Sequence, residues 1–368
     1  MSAAPRDRRL RVLVVDDSAY NRQTIAGMLE ASPEVEVVGR ASNGEEALRD
    51  ALLLRPDVIT LDLEMPRMDG FTFLRLLMSR LPTPVVVVSS HSQQQNVFRA
   101  LELGALDFVA KPGVGATAEL IAIQAELLDK INLVRALRPA APRPAAPPPQ
   151  PVESGPKAAP GAPPLGLVVL GASTGGPPAL QAVLRDLPAD VPLAFLVAQH
   201  MPPGFTRAFA ERLHRAVALR VKEASDGDPV DAGQVLVAPG GHHLSVRLEA
   251  GVLRAVVRPV SPDSRALYVP SIDALFLSAA ACARERTLAI LMTGMGADGR
   301  EGIIQVRAAG GRTLAESEET AVIFGMPREA IDTGAVDRIR RLDELASEIR
   351  AFADELARRQ TDGTRQKH

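Results

Sequence analysis

The stretch VVLGASTGGPPAL, residues 168–180, joins an apolar run to a glycine-rich turn around one serine and then to a second apolar segment. This order predicts a buried strand, a tight turn and a helix. A phosphate-binding P-loop needs a Lys and a Ser or Thr after its last glycine, and a dinucleotide fingerprint needs three glycines at other intervals. Gly171-x-Ser173-x-Gly175 instead matches the nucleophile elbow, which exposes a serine at the end of a strand. Ser173 is therefore a candidate nucleophile, and the alternative is a small residue that lets the chain turn.

Apolar runs and helical patterns alternate through the rest of this half of the chain. They predict strands at 165–170, 192–199, 234–240, 287–293 and 312–317. Helices are predicted to begin near Pro177, Pro203, Ser271, Gly299 and Pro327. The alternating stretch 242–259, with a central glycine, predicts a hairpin. Short apolar strands separated by helices are typical of a doubly wound parallel sheet, with Ser173 at the end of its first strand.

Candidate partners for Ser173 follow other strands, since ligands of such sheets bind beyond the carboxyl ends of the strands. His200, in VAQHMPPGF, follows a strand that the crossover rule can place beside the serine strand. Asp298, in ILMTGMGADG, follows a further strand, and its alternative role is to cap the next helix. The other candidate histidines are weaker because they lie in a helical pattern or on a loop: His214, His242 and His243.

Each of these residue types suits one step of ester or amide hydrolysis. His200 would take the proton from Ser173 and later activate water, and Asp298 would fix the tautomer of His200. The chain order Ser, His, Asp differs from that of serine proteases and α/β-hydrolases, but roles depend on geometry. Backbone N–H groups of TGMG, that of Met295 in particular, could hold the oxyanion because glycines let the chain approach closely.

A proline-rich segment separates this half from the first half. Residues 139–164 hold 11 of the 30 prolines and few large apolar side chains, so they cannot form a packed core. The predicted organisation is a first domain, a linker, a second domain and a polar tail, at 1–137, 138–164, 165–356 and 357–368.

The first domain also alternates strands with helices. Strands are predicted at 11–17, 35–41, 58–63, 85–90 and 107–111. Helices are predicted near Ser18, Asn43, Gly70, Gln95 and Thr117. Five polar residues fall at strand ends and converge on one edge of the sheet: Asp16, Asp17, Asp62, Ser89 and Lys111. Three carboxylates at one point repel one another unless a hard cation neutralises them, which favours Mg²⁺.

Composition and charge give only weak indications of partners and compartment. The formal net charge is −2, which gives no sign of a nucleic-acid or anionic-membrane partner. The single cysteine, Cys282, suits a reducing compartment and is expected to be a buried apolar side chain. No targeting or membrane-spanning run is visible, so we expect a cytoplasmic protein without membrane insertion.

The motifs VLVVDDS, DLEMPRMDG, VVSS and DFVAKP resemble the response-regulator receiver domain, whose fold is flavodoxin-like. The resemblance implies that a histidine kinase transfers a phosphoryl group to Asp62. It implies Mg²⁺ ligands from Asp16, Asp17, Asp62 and the main-chain carbonyl of Glu64. Ser89 and Lys111 would contact the phosphoryl oxygens, and Phe108 would be the aromatic residue that reorients on activation.

The motifs GASTGGPPAL, QHMPPGFTRAFAERL, EASDGD, VLVAPGGHHL, LMTGMGADG and IFGMPREA are similar to the chemotaxis response regulator protein-glutamate methylesterases. The resemblance implies a Rossmann-like catalytic domain in which Ser173, His200 and Asp298 are catalytic and no cofactor is needed. It also implies a hydrolase that removes methyl groups from glutamate γ-methyl esters of chemoreceptors, releasing methanol, and that deamidates receptor glutamines during sensory adaptation.

Two departures from that family's pattern bear on substrate fit: the rigid pair Pro177–Pro178, and the lack of a basic residue before the proline of LYVPSID. A rival reading is a phosphorylation-controlled docking protein that has lost catalysis, against which the intact Ser, His and Asp set argues. A DNA-binding output finds no support, since neither a small helix-turn-helix nor a basic stripe follows the linker.

Overall fold

The computed structural model describes residues 8–90, 94–111, 117–137, 161–260 and 268–365. The chain divides into two compact units, Met1–Ala146 and Pro147–His368, and the division falls within the predicted linker. Within that linker, the final residues already belong to the second unit, because the Gly161 N–H donates to Asp231 and the Ala162 carbonyl accepts from the Ala232 N–H.

The first unit is a five-stranded parallel sheet flanked by helices. Its strands are β1 (Leu10–Val15), β2 (Val35–Ala41), β3 (Val58–Leu61), β4 (Val85–Ser89) and β5 (Asp107–Ala110). Its helices are α1 (Ala19–Glu30), α2 (Gly44–Leu54), α3 (Gly70–Arg80), α4 (Gln94–Glu102) and α5 (Thr117–Asn132). The strand order β2-β1-β3-β4-β5 is the flavodoxin-like order, and it reverses direction between β1 and β3.

The second unit contains a seven-stranded parallel sheet and a separate antiparallel hairpin. The sheet strands are β6 (Gly166–Ala172), β7 (Leu193–Gln199), β8 (Arg220–Glu223), β9 (Gln234–Val237), β12 (Thr287–Leu291), β13 (Arg312–Glu316) and β14 (Arg338–Arg340). The hairpin pairs β10 (His242–Glu249) with β11 (Val252–Pro259). The helices are α6 (Gly176–Arg185), α7 (Phe205–Ala216), α8 (Ile272–Ala283), α9 (Arg300–Ala308), α10 (Met326–Ile331) and α11 (Leu342–Arg365).

The strand order β14-β13-β12-β6-β7-β9-β8 places β6 between β7 and β12. After β6 the chain adds β7, β8 and β9 on one side, with β8 at the edge outside β9. It then returns to add β12, β13 and β14 on the other side, so the order reverses between β6 and β12. Every residue of β6, β7 and β12 is buried, as expected of central strands covered on both faces. Open α/β sheets bind ligands at such a reversal, so the residues that follow these three strands are the expected location of a functional site.

The predicted α/β class, the two parallel sheets and the hairpin are confirmed, and three elements were not predicted. β8 and β14 are short, charged edge strands. α11 has buried residues as far as Leu356, and it continues as a helix through exposed residues beyond the predicted boundary at 356 to Arg365. Cys282 lies on α8, where its Sγ donates to the Val246 carbonyl. None of the helices within the described residues is long and apolar enough to cross a membrane.

Candidate active site and phosphorylation site

Ser173 directly follows β6 and is bonded through its main chain to the strand ends on both sides. Ala172 pairs with Gln199 across β6 and β7, and the His200 N–H donates to the Ala172 carbonyl at 3.1 Å. On the other side, the Ser173 N–H donates to the Thr293 carbonyl at 2.9 Å. The structure therefore brings Ser173 and His200 to neighbouring positions at the strand reversal, as the sequence predicted.

The glycines after Ser173 are required by the turn. Gly175 has a φ of +77°, a backbone conformation that residues with a side chain rarely adopt. A Cβ at Gly176 would overlap the side chain of Gln199. The Gly176 N–H donates to the Ser173 carbonyl at 2.7 Å, and α6 begins there. Pro177–Pro178 lie in the first helical turn, where a missing N–H costs no intrahelical bond. The proline pair is thus compatible with the strand–turn–helix that presents Ser173.

His200 is paired with a buried carboxylate. His200 Nε2 lies 2.8 Å from Asp298 Oδ2, and Asp298 also accepts the N–H groups of Ile272 at 2.7 Å and Asp273 at 2.9 Å, with the Ser271 hydroxyl at 3.1 Å. Burial raises the pKa of Asp298, but the hydrogen bonds from His200 and from the two amides outweigh it and hold that pKa below its usual value. Asp298 is therefore an anion at the N-terminus of α8.

This pairing assigns the two imidazole nitrogens. The carboxylate can only accept, so His200 Nε2 carries the hydrogen of the 2.8 Å bond and Nδ1 of the neutral ring keeps its lone pair. The tautomer is inferred from the bond, since hydrogen positions follow from partners. In the serine-protease template the carboxylate binds the other nitrogen, so here Nδ1 is the nitrogen whose lone pair is left for a proton.

The TGMG segment closes the other side of the site. A Cβ at Gly294 would lie 2.7 Å from the Ser173 Cβ, so only glycine allows this approach. The Gly294 N–H donates to Ile323 and its carbonyl accepts from Met326, which fixes the segment. Within the described residues, no hydrogen bond engages the next amide, that of Met295. The predicted oxyanion donor is therefore an available N–H close to Ser173.

The weaker histidine candidates are used as structural hydrogen-bond partners. His214 Nδ1 accepts the Val221 N–H at 3.1 Å, and His243 Nδ1 accepts the Ser271 N–H at 3.1 Å. Burial lowers the pKa of His243, which favours the neutral ring that this bond requires. His242 Nδ1 lies 3.2 Å from the Gly240 carbonyl. Of these histidines, only His200 pairs with a carboxylate beside Ser173.

Two residues beside the site were not singled out from the sequence. The Tyr268 ring stacks on His200 with a centroid distance of 4.9 Å and an interplanar angle of 9°. Asp273 Oδ1 accepts the Gly302 N–H at 2.7 Å. Both line a pocket of about 380 Å³ that Asp298 also lines. Both residues belong to the stretch LYVPSID, residues 267–273, which the sequence analysis considered only for the residue before its proline.

The first unit also gathers its candidate residues at its strand reversal. Asp16 follows β1 and Asp62 follows β3, and carboxylate oxygens of Asp16, Asp17 and Asp62 lie within 4.8 Å of one another. Lys111, after β5, places its Nζ 2.6 Å from Asp62 Oδ2 and 2.9 Å from Asp16 Oδ2. Ser89 ends β4 and is fully buried. The predicted convergence at one edge is therefore present.

The electrostatics of this cluster suit a hard cation. Burial raises the pKa of Asp62, and Asp16 raises it further, while Lys111 offsets only part of the effect. One ammonium group therefore does not neutralise the three carboxylates, and their oxygens are the donors that Mg²⁺ prefers. The Glu64 N–H donates to Asp62 Oδ1 at 3.4 Å, so the main chain of Glu64 borders the cluster.

Phe108 lies on β5, the strand that precedes Lys111. It is buried in β5 and meets the Phe98 ring edge-on at a centroid distance of 6.4 Å. Lys130 Nζ lies 5.1 Å from the Phe108 ring centroid and donates to the Phe108 carbonyl. The same ammonium pairs with Asp107 and Glu126. A reorientation of Phe108 would therefore change its contacts with α4 and α5, which carry Phe98 and Lys130.

Comparison with known proteins gives two family matches. Residues 168–349 match the family described as CheB methylesterase, and residues 12–123 match the response regulator receiver domain. Two relatives named protein-glutamate methylesterase/protein-glutamine glutaminase align with nearly the whole chain. The one from Anaeromyxobacter dehalogenans is 55% identical over 96% of this chain and 98% of its own. The one from Geobacter sulfurreducens is 50% identical over 93% of this chain and 97% of its own.

Among solved structures, the Thermotoga maritima CheB methylesterase catalytic domain is 37% identical, covers 50% of this chain and 97% of its own, and has a TM-score of 0.49. A receiver sheet joined to an α/β sheet with Ser, His and Asp at its reversal defines a response regulator with a hydrolase domain. The chain belongs to the CheB methylesterase family, whose members align with it from the receiver to the catalytic domain. The two resemblances predicted from the motifs are confirmed, while the roles of individual residues remain predictions.

Proposed function

We propose that the chain is a cytoplasmic, phosphorylation-controlled methylesterase that hydrolyses glutamate γ-methyl esters of chemoreceptors to glutamate and methanol. The observation that supports this most directly is the 2.8 Å bond between His200 and the buried Asp298, next to Ser173 at the strand reversal. A docking protein without catalysis would not need an ionised carboxylate to fix the tautomer of a histidine at this place.

Acylation begins with attack of Ser173 Oγ on the ester carbonyl carbon. His200 Nδ1 takes the Ser173 proton, Asp298 stabilises the imidazolium, and the Met295 N–H binds the oxyanion. Collapse of the tetrahedral intermediate breaks the carbon–methoxy bond, and His200 returns the proton to the leaving oxygen. Methanol leaves, and the glutamyl group stays on Ser173 as an ester.

Deacylation repeats these steps with water as the nucleophile. His200 takes a proton from water, hydroxide adds to the acyl carbon, and the proton then passes to Ser173 Oγ as the acyl bond breaks. Glutamate is the product. With a glutamine substrate the leaving group is ammonia instead of methanol, so the same residues support deamidation, the second activity in the relatives' names.

Control is assigned to the receiver. Asp62 attacks the phosphorus of a phosphohistidine on the kinase, the phosphorus–nitrogen bond breaks, and the phosphoryl group stays on Asp62. Asp16, Asp17, Asp62 and the Glu64 carbonyl would hold Mg²⁺, which supplies positive charge for the phosphoryl oxygens when bound. Lys111 and Ser89 contact those oxygens, and Phe108 changes its orientation in response.

Alanine variants of the nucleophile and the base test the proposal. Ser173→Ala and His200→Ala should each lower methanol release from methylated receptor membranes by about 10³-fold or more, and the double variant should be hardly worse, because triad members act as a unit. His214→Ala is the matched control, since His214 supports a strand N–H instead, and it should remain active. Strictly additive losses would indicate another base, and wild-type protein without methanol release would favour the docking protein.

Mass spectrometry of receptor peptides tests the deamidase activity. Peptides incubated with wild-type protein should convert particular glutamines to glutamates, and Ser173→Ala should stop this together with ester hydrolysis. Retained deamidation in that variant would place the second activity at another site.

A further inference from the structure

Tyr268 lies between two parts of the candidate active site. On one side its ring is stacked almost parallel to the His200 imidazole, 4.9 Å between centroids. On the other side its hydroxyl end lies against Gly296, where a Cβ would overlap the phenol oxygen. Gly296 also has a φ of +92°, so both the backbone conformation and the close phenol ring require glycine. Tyr268 therefore touches the base and the segment that follows Met295.

The stack constrains a degree of freedom that Asp298 leaves open. The hydrogen bond to Asp298 fixes one nitrogen of the His200 ring, but the ring plane can still rotate about that bond. A flat aromatic neighbour removes this rotation. An aromatic face also attracts a cation, so the stack favours the imidazolium that forms as Ser173 loses its proton.

We propose that Tyr268 is a positioning residue that holds the His200 ring and the Met295–Gly296 segment in one arrangement, so that base and oxyanion donor face Ser173 together. This inference rests on the proposed hydrolase function. The competing role is a pocket wall that contacts the substrate, because Tyr268 also lines the 380 Å³ pocket.

Three full-length variants separate the two roles. Tyr268→Phe keeps the stacked ring, Tyr268→Leu removes it, and Tyr20→Leu makes the same change at the only other tyrosine, which is exposed on the first unit. Each is assayed for kcat and KM of methanol release. Each is also treated with a fluorophosphonate, which forms a Ser Oγ–phosphorus bond as the phosphorus–fluorine bond breaks, with the serine proton passing to His200 and fluoride leaving. The fluorophosphonate reports on Ser173 activation without receptor binding.

A positioning role predicts parallel losses in both assays. Tyr268→Leu should lower kcat and the fluorophosphonate rate by about 2- to 30-fold, the range that corresponds to a lost cation–π contact, with KM little changed. Tyr268→Phe should restore most of both rates, and Tyr20→Leu should match wild type. A raised KM with unchanged kcat and fluorophosphonate rate, or a Phe variant as poor as the Leu variant, would overturn the proposal.

A second variant keeps the test decisive if Tyr268→Leu does not fold. Gly296→Ala keeps the tyrosine but introduces a Cβ that must displace its phenol ring or the Met295–Gly296 backbone, and it should lower kcat and the fluorophosphonate rate together. Unchanged rates in Gly296→Ala would overturn the positioning role. Failure of the proposed function is distinguishable, because wild-type protein itself would then neither release methanol nor react with the fluorophosphonate at Ser173.

Discussion

His200 shows how much of the site depends on single atoms. The sequence indicates a histidine at a strand end, but only the structure shows that Nε2, not Nδ1, faces Asp298. Which nitrogen faces the carboxylate depends on the ring rotation and on the position of a residue almost a hundred positions away in the chain, neither of which a motif contains. Tyr268 was overlooked for the same reason, because its contact with His200 exists only after the chain folds.

At Asp298, exchange of one oxygen for an amide group tests the tautomer argument. Asp298→Asn should lower kcat by about 10³- to 10⁴-fold with little change in KM, because the amide donates to Nε2 and moves the ring proton to Nδ1, where the base is needed. Steady-state methanol release measures both constants. Asp190→Asn, an exposed carboxylate without a role in the site, is the control. If Asp298→Asn kept full turnover, Asp298 would only satisfy main-chain amides at a helix N-terminus and would not fix the His200 tautomer.

The same variant carries a pH-dependent stability change. The pKa of Asp298 is lower in the fold than in the unfolded chain, so its stabilisation is present above about pH 4 and is lost as pH falls through the folded value. We expect Asp298→Asn to be less stable by about 1–2 kcal/mol at neutral pH, and the difference to shrink in acid. Urea unfolding at about pH 7 and about pH 3 measures it, and a constant difference would contradict the ionised assignment.

At the scale of elements, α8 and α9 are joined by reciprocal contacts at their N-termini. Asp298, just before α9, accepts the first amides of α8, and Asp273, in the first turn of α8, accepts the Gly302 N–H of α9. The sequence alone suggested that Asp298 caps its own helix, α9. The structure shows that Asp298 instead accepts the first two amides of α8, whose N-cap is Ser271, because the two helix starts lie side by side.

Asp273 offers a test of this element pair. Burial raises the pKa of Asp273, and the hydrogen bond from the Gly302 N–H offsets only part of this rise. The pKa is therefore higher in the folded chain than in the unfolded chain. Ionisation of Asp273 thus weakens the fold as pH rises above about 4. Asp273→Asn keeps an acceptor for Gly302 without the charge, and should be at least as stable as wild type at neutral pH. Asp273→Ala should lose about 1 kcal/mol. Urea unfolding measures the free energy of unfolding of both variants. If Asp273→Asn were as unstable as Asp273→Ala, the negative charge itself would stabilise the N-terminus of α9.

The elements that sequence patterns identified are the central ones. β6, β7 and β12 are continuous apolar runs, and such runs are distinctive. β8 and β14 read as RVKE and RIR, because edge strands carry charges that discourage pairing with other chains and so resemble loops. Helix α11 was not predicted, since polar residues dominate its composition, although buried residues such as Ile349 and Phe352 mark its inner face.

At the scale of the whole molecule, the two units carry different chemistry on one chain. Asp62→Asn should abolish stimulation of methanol release by a small phosphoryl donor and leave basal turnover unchanged, because the variant loses the nucleophilic oxygen but Ser173 belongs to the other unit. Initial rates with and without the donor measure this.

Asp57→Asn is the matched control, since Asp57 precedes the same strand β3 at its opposite end and accepts the Arg11 N–H there. It should keep the stimulation. Stimulation that persists in Asp62→Asn would mean that the phosphoryl group is accepted elsewhere.

The anchoring of Asp298 has a consequence for how this enzyme tolerates sequence change. Its carboxylate is held at α8 by the main-chain amides of residues 272 and 273, and a main-chain amide is supplied by every amino acid except proline. A substitution at either position therefore leaves in place the two donors that hold the Asp298 carboxylate, even where it disturbs the packing of Ile272 or the bond from Asp273 to Gly302. Only proline, or a change that shifts the start of the helix, would remove them.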